Sequence, residues 1–258
     1  MKINKEIYSN KAVVKKYSAE NFIFPQEVFL INKLEELATK DITFIDLGVG
    51  AGRTTNHFYK YCHKYIGIDY SETMIKECLN KFKDAKHCSF LCLDACNMDS
   101  IMDSSSDITL FSFNGIDYVN LNKRRKILKE IKRITKKGGT FLFSTHNSNS
   151  ISSLLKLNLP KNPLKILSSL YKYFGIRFYN DLKSMSRKNH FIQIADGDSN
   201  NFNYRTAYIN PIFQIKMLEE IGFKDIKVIL NEIETTGDQE IIEKLNNPWL
   251  HFICKIEK

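Results

Sequence analysis

Five short runs of apolar and β-branched residues recur along the first part of the chain: ITFIDL (42–47), YIGID (65–69), SFLCLD (89–94), DITLFSF (107–113) and TFLFSTH (140–146). Segments of helical periodicity stand between most of them, over about 52–62, in SETMIKECLNKF (71–82) and through residues 122–135. Strands this uniformly apolar must be covered on both faces, and alternation with helices makes the sheet parallel. A later helix, PIFQIKMLEEIG (211–222), and two further runs, FKDIKVIL (223–230) and WLHFICKI (249–256), extend the pattern. The expected fold is α/β, a doubly wound, mostly parallel sheet of seven strands. Ligands in such sheets sit at the carboxyl ends of the strands, near the point where strand order reverses.

The rhythm divides the chain into an N-terminal helical segment (1–40), a core (41–146), an insertion after the fifth strand (147–209) and a closing helix with two strands (210–258). In the first segment, Pro25 precedes QEVFLINKLEELATK, whose Val28, Ile31, Leu34 and Leu37 recur every third residue, a helix beginning at a proline that needs no N–H there. Upstream of it, VVKKYSAENF (13–22) carries Tyr17 and Phe22 outside the α/β pattern and reads as a lid over the cleft.

A chain of 258 residues suffices for one such domain with an elaboration. The opening MKINKEIYSNKAVVKK lacks the apolar run of a secretion signal, and no stretch approaches the ~20 apolar residues of a membrane span, so a cytoplasmic protein is expected. Six cysteines fall within strands and helices, consistent with reduced thiols. Cys88, Cys92 and Cys96 recur every fourth residue, but they straddle a strand that gives ligands no loop to converge from, and no metal site is expected. The net charge of +9 is local: residues 122–137 hold nine Lys/Arg and one Glu, residues 156–188 eight and one Asp, and the remainder is net negative.

Between the first strand and the helix after it stands FIDLGVGAGR, with Gly48, Gly50 and Gly52 at every second position. Glycines there remove Cβ atoms where a ligand meets the backbone and leave N–H groups free to face it. A dinucleotide fingerprint needs a small third residue at the position Arg53 occupies, so NAD fits poorly. Asp46 precedes the glycines, Asp69 ends the second strand 21 residues after Gly48, and Asp94 ends the third. An acid at the position of Asp69 can accept both hydroxyls of a ribose. With D-x-G-x-G-x-G and three acids at successive strand ends, the chain resembles the class I S-adenosylmethionine-dependent methyltransferases over residues 42–146, and more loosely over the C-terminal strands.

The resemblance implies S-adenosylmethionine as cofactor and S-adenosylhomocysteine as product. It places Asp46 and the backbone of Gly48, Gly50 and Gly52 at the methionine part, Asp69 at the ribose, Tyr70 and Met74 beside the adenosine, and Asp94 with Ala95 at the adenine amino group, with Arg53 a further candidate cofactor contact. Phe113 and Asn114 correspond to the floor beneath the reacting methyl, and Tyr17 to a lid contact. The segment FSFNGIDYV lacks the proline-rich motif of the adenine and glutamine N-methyltransferases, and resembles instead the enzymes that act on small molecules.

Methyl transfer to a hydroxyl needs a general base, and Asp117 and His146, both just beyond strand ends, are the candidates, with His190 a third. A local contact of His146 with Asn147 or Ser148 is the competing reading. The insertion segment LLKLNLPKNPLKILSSLYKYFGIRFY reads as a cap with an apolar underside and a basic rim, suited to a small anionic acceptor such as a phosphorylated or nucleotide-linked sugar. Asn147, Arg177, Arg187 and His190 are its candidate contacts. A solvated face or an anionic membrane surface would use the same charges. The alternative for the whole protein is a non-catalytic cofactor-binding or RNA-associated module, with helix 122–137 as its basic patch. Because Ile127, Leu128, Ile131 and Ile134 form an apolar stripe there, the charges fit a solvated face, and nucleic acid is not the expected partner.

Overall fold

The computed structural model describes residues 11–36, 41–182, 185, 189–197 and 202–257. Its core is a mostly parallel sheet. Strands β1 (Thr43–Leu47), β2 (Lys64–Asp69), β3 (Cys88–Cys92), β4 (Ser106–Phe111) and β5 (Thr135–Asn147) run parallel in the spatial order β3-β2-β1-β4-β5. The order reverses between β1 and β4, so the cleft opens at the carboxyl ends of those two strands.

Short helices connect the strands: α1 (Lys11–Ser18) and α2 (Pro25–Glu36) precede β1, α3 (Thr55–Phe58) follows it, α4 (Glu72–Lys81) follows β2, and α5 (Leu121–Ile134) leads into β5. Ser71 and Asn120 cap α4 and α5 by accepting from the N–H groups of Met74 and Lys123. The helix expected over about 52–62 is broken: turns occupy Ala51–Thr54, and a single 3₁₀ turn, Tyr59–Tyr61, ends it. At the other end, β5 emerges directly from α5. The residues 136–139 that read as a turn form an irregularity within the strand, where the register to β4 shifts and Gly138 takes φ +73°.

Among the described residues ten strands are present where seven were expected. The insertion contains α6 (Ile151–Leu154) and α7 (Ile166–Tyr179), then β6 (Phe191–Ile194) and β7 (Thr206–Ile209). These two strands pair with each other, and β7 pairs with the end of β5, at His146 and Asn147. Part of the insertion thus lengthens the sheet. After α8 (Pro211–Ile221), strand β8 (Phe223–Ile229), the two-residue β9 (Thr235–Thr236), α9 (Gln239–Lys244) and β10 (Trp249–Ile256) close the fold, β10 lying antiparallel between β5 and β8.

The apolar core lies on both faces. On one, Ile127, Leu128, Ile131 and Ile134 of α5 pack with Phe141, Phe143, Phe223 and Phe252; on the other, Leu30 and Leu34 of α2 pack with Phe44, Phe58 and Tyr65. So α2 belongs to the core layer, while α1 lies over the glycine loop, with Val14 buried against Ala51 and Met74. Residues 1–10 and 37–40 of the expected N-terminal segment lie outside the described residues.

A buried ion pair fastens α2 to the cleft. Glu27, fully buried, accepts from Arg53 at 2.6 and 2.8 Å, and Arg53 also donates to the Phe22 carbonyl at 3.0 Å and to Ser112 at 3.2 Å. Burial pushes the Glu27 carboxyl up, but Arg53, the Phe24 N–H and Ser112 outweigh it and hold it below the ordinary carboxylate value. Removing one partner strands a charge in the core. Arg53→Met should cost about 3–5 kcal/mol in denaturant unfolding, and Glu27→Leu in that background should restore part of it, since two apolar groups leave no charge uncompensated.

Candidate active site

The glycine loop follows from its neighbours. Gly48, Gly50 and Gly52 all take positive φ (65°, 55° and 84°), where side chains are strained. A Cβ on Gly48 would come within 2.9 Å of the Phe111 ring, and on Gly52 within 2.5 Å of Phe82, whereas on Gly50 it would meet nothing within 4 Å. Two of the glycines therefore make room for the protein's own aromatic rings. Only at Gly50 does the missing Cβ leave open space, and that space is a cavity of about 600 Å³ at the sheet's switch point.

Acids hold the loop from below. Asp69 accepts from the Gly50 N–H at 3.1 Å and the Ser71 N–H at 2.8 Å, and burial raises its carboxyl despite those bonds. Asp46, only 1% exposed, accepts from the hydroxyls of Thr54 and Tyr65. Its burial outweighs both and lifts the carboxyl to about 7. Asp94 is exposed, accepts from the Cys96 N–H at 2.8 Å and lies in the cavity wall beside Leu93 and Ala95.

Beyond β4 the chain turns sharply. Phe113 and Asn114 both take left-handed conformations (φ 55° and 57°), which Asn tolerates and Phe does not favour. The Asn114 N–H donates to Ser144 at 2.8 Å and its carbonyl accepts from Asp117, which fixes the turn. The turn brings Phe113 into a group of rings: Phe24 stacks on it at 5.9 Å, Trp249 meets it edge-on at 5.5 Å, Tyr17 and Phe22 close the group, and the Arg53 guanidinium lies 5.7 Å from its centre.

The structure brings Tyr17, Asp46, Gly48, Gly50, Arg53, Asp69, Tyr70, Met74, Asp94, Ala95 and Phe113 together around this one cavity. Gly52 and Asn114 do not line it: Gly52 packs on Phe82, and Asn114 is buried with its side-chain amide without a hydrogen-bond partner. Arg53 lines it, but its guanidinium is spent on Glu27, Phe22 and Ser112.

On the acceptor side several expectations change. Asp117 does not face the cleft; it is fully buried, accepting from Arg124 at 2.7 Å, Thr145 at 2.6 Å and the His146 N–H at 2.7 Å, with its other contact to His146 Nδ1 at 2.8 Å. With every lone pair engaged, it has none to offer an acceptor proton. His146 turns toward Asp117, not to the local turn, and packs against Tyr208 and Trp249. Like Trp249, it does not itself line the cavity. Asn147 is fully buried and caps the turn at Asn149 while donating to the Leu245 carbonyl. Arg177 donates to the carbonyls of Tyr173 and Leu155 and stacks on the Tyr173 ring. Both are structural. His190 is exposed and stacks on Phe213, away from the cavity, and Arg187 lies outside the described residues.

Sequence reasoning missed Glu27, Ser112, Thr54 and Trp249, which no local motif distinguishes. It also read Arg124 as part of a solvated face, whereas Arg124 is fully buried, bonded to Asp117, Thr145 and Gln214. A cation at a position flanked by Ile127 and Leu128 was the available signal.

Residues 45–143 match the methyltransferase domain family. Among solved structures, an S-adenosylmethionine-dependent methyltransferase from Clostridium acetobutylicum superposes with a TM-score of 0.58 at 15% identity, over 98% of this chain and 97% of that one. One from Mesorhizobium loti gives 0.56 at 15% identity over 88% and 97%, and a protein of Pyrococcus horikoshii 0.55 at 18% identity over 89% and 88%. At such identities the likeness speaks for the fold. No curated protein matches the chain. The core has the fold of the S-adenosylmethionine-dependent methyltransferases. Residues 45–143 thus align with a methyltransferase domain, and the open space at Gly50, with Asp69 and Asp94 at its edge, fits S-adenosylmethionine.

Two tests follow. Asp69→Ala removes a buried carboxylate at the loop and should weaken S-adenosylhomocysteine binding by roughly 1.5–3 kcal/mol per lost bond in calorimetry. Asp46 governs pH dependence. The folded state holds its proton between about 3.8 and 7 while the unfolded state releases it, so this group's contribution makes stability fall as pH rises through that window. Asp46→Asn should remove the slope and gain relative stability at neutral pH, by up to about 4 kcal/mol, read as the difference between the two proteins' unfolding curves across the window.

Proposed function

We propose that the enzyme methylates a hydroxyl group of a small, anionic acceptor, of the kind found in phosphorylated or nucleotide-linked sugars. The observation that carries the hydroxyl reading is the His146–Asp117 contact: a carboxylate with no other freedom holds Nδ1 at 2.8 Å and leaves Nε2 as the working nitrogen. When bound, S-adenosylmethionine supplies an activated methyl group. The chain's own residues do the rest. Gly50 and Asp69 hold the cofactor's site open, the rings around Phe113 exclude water, and His146 takes the acceptor's proton at Nε2 after the acceptor enters past Trp249. Asp117 is then a positioning residue, and Arg124 and Thr145 position it in turn.

Support for a small acceptor is the cavity's size, about 600 Å³, with Tyr17 and Phe113 of the ring cluster in its wall. The anionic reading rests on the field of the insertion, +7 over residues 156–188, since none of its described residues lines the cavity. The insertion does approach it: Tyr204 lies within electrostatic reach of Tyr70 in the cavity wall. Against a nucleic-acid partner, Arg124, Arg125, Arg133 and Lys136 of the basic run are all engaged in ion pairs with acids of the same chain.

The test is turnover with isotopically labelled cofactor and matched panels of phosphorylated, nucleotide-linked and uncharged sugars, read by the mass gain of one methyl. Anionic hydroxyl compounds should be labelled, and His146→Ala should lower kcat about 10²- to 10⁴-fold while leaving cofactor affinity unchanged. Preferential labelling of uncharged compounds or of an amine would overturn the acceptor class.

A further inference from the structure

Helix α7 was expected to turn its apolar side toward the cleft, and it does the reverse. Leu164, Leu167, Tyr171, Phe174 and Phe178 follow one another at spacings of three and four and are 86%, 77%, 56%, 62% and 82% exposed. Residues at those spacings share one side of a helix. The opposite side is the packed one. Gly175 and Ile176 are buried, Tyr179 stacks on Phe202 at 5.1 Å, and Phe202 lies so close over Gly175 that a Cβ there would come within 2.2 Å of its ring. The helix is thus seated through Gly175 and Phe202, whose ring Tyr171 at the edge of the row also meets edge-on at 5.6 Å, while Leu164, Leu167, Phe174 and Phe178 stand in solvent among the described residues.

A contiguous row of five large apolar side chains is unusual on a protein that meets only water. Charge identifies what it meets. Residues 156–180 contain Lys156, Lys161, Lys165, Lys172 and Arg177 and no acid. A second copy docked through the same face would set two such cationic segments against each other. A lipid surface has the opposite sign and an apolar interior, and aromatic rings are at home at its interface. No described helix is long and apolar enough to cross a membrane, so the geometry is that of a helix lying on it.

We infer that α7, with the preceding Leu164, docks the enzyme on an anionic lipid surface, its apolar row immersed below the headgroups and Lys156, Lys161 and Lys165 set against the phosphates. This does not depend on the acceptor class proposed above. Docking would fix the enzyme's orientation through an element of the insertion that projects its apolar side outward.

The experiment is flotation of the full-length protein with vesicles of phosphatidylcholine alone and of an equimolar mixture with phosphatidylglycerol, at low and high salt. Wild-type protein should float with the anionic vesicles, weakly with the neutral ones, and less at high salt. The double variant Leu167→Ser/Phe178→Ser should lose at least about tenfold in partitioning, and Lys156→Gln/Lys161→Gln/Lys165→Gln should erase the preference for anionic lipid. Both should bind S-adenosylhomocysteine as wild type does, which establishes that they are folded. Three results would overturn the inference: absence of wild-type flotation with anionic vesicles, equal partitioning of wild type and the Leu167/Phe178 variant, or a wild-type dimer in light scattering that this variant converts to monomer.

Discussion

The Arg53–Glu27 pair is the contact on which the cleft depends. Its guanidinium joins four pieces of chain that sequence separates: α2 through Glu27, the segment entering α2 through the Phe22 carbonyl, the glycine loop through its own backbone, and the end of β4 through Ser112. Its bonds to Glu27 and Ser112 are buried, so they cannot be exchanged cheaply for solvent. The rings of Phe22, Phe24 and Phe113 stand over the same guanidinium at 4.9–5.7 Å, so the place of Phe113 in the cavity wall is also set by this one cation.

A second buried hub stands on the acceptor side. Asp117 gathers Arg124 from α5, Thr145 and the backbone of His146 from β5, and the His146 ring. Arg124 in turn reaches Gln214 on α8, so the orientation of the imidazole is tied to the packing of two helices. Such a network is expensive when incomplete and rigid when satisfied. Rigidity suits a reaction whose protein contribution is alignment more than bond chemistry.

Seen together, the two hubs explain why the insertion carries so little of the cavity wall. The cavity is lined from α1, the ends of β1 to β4 with the loops that follow them, and the start of α5, a frame already fixed by buried polar contacts. The insertion forms α7, whose exposed row has no share in the core, and then adds β6 and β7 beside β5.

Period and punctuation in the sequence determined the parallel strands, their order of appearance, the capped helices, the glycine loop and the acids Asp46, Asp69 and Asp94 at successive strand ends. These are legible because each follows from neighbours within a few residues: alternation, caps and turns are local physics. Which way a side chain spends its hydrogen bonds is not local. Arg53 was read as a ligand contact and Arg124 as a solvated charge, yet each became buried because an acid 26 residues upstream, Glu27, or seven upstream, Asp117, met it across a packed layer. Gly48 and Gly52 looked like concessions to a ligand, but tertiary packing put Phe111 and Phe82 there. The same holds for α7: its spacing announced an apolar stripe, and only the seating of Gly175 on Phe202 decided that the stripe faces outward. Periodicity fixes that a face exists, and the three-dimensional partners fix which way it turns, because the free energy that orients it comes from contacts between segments far apart in the chain.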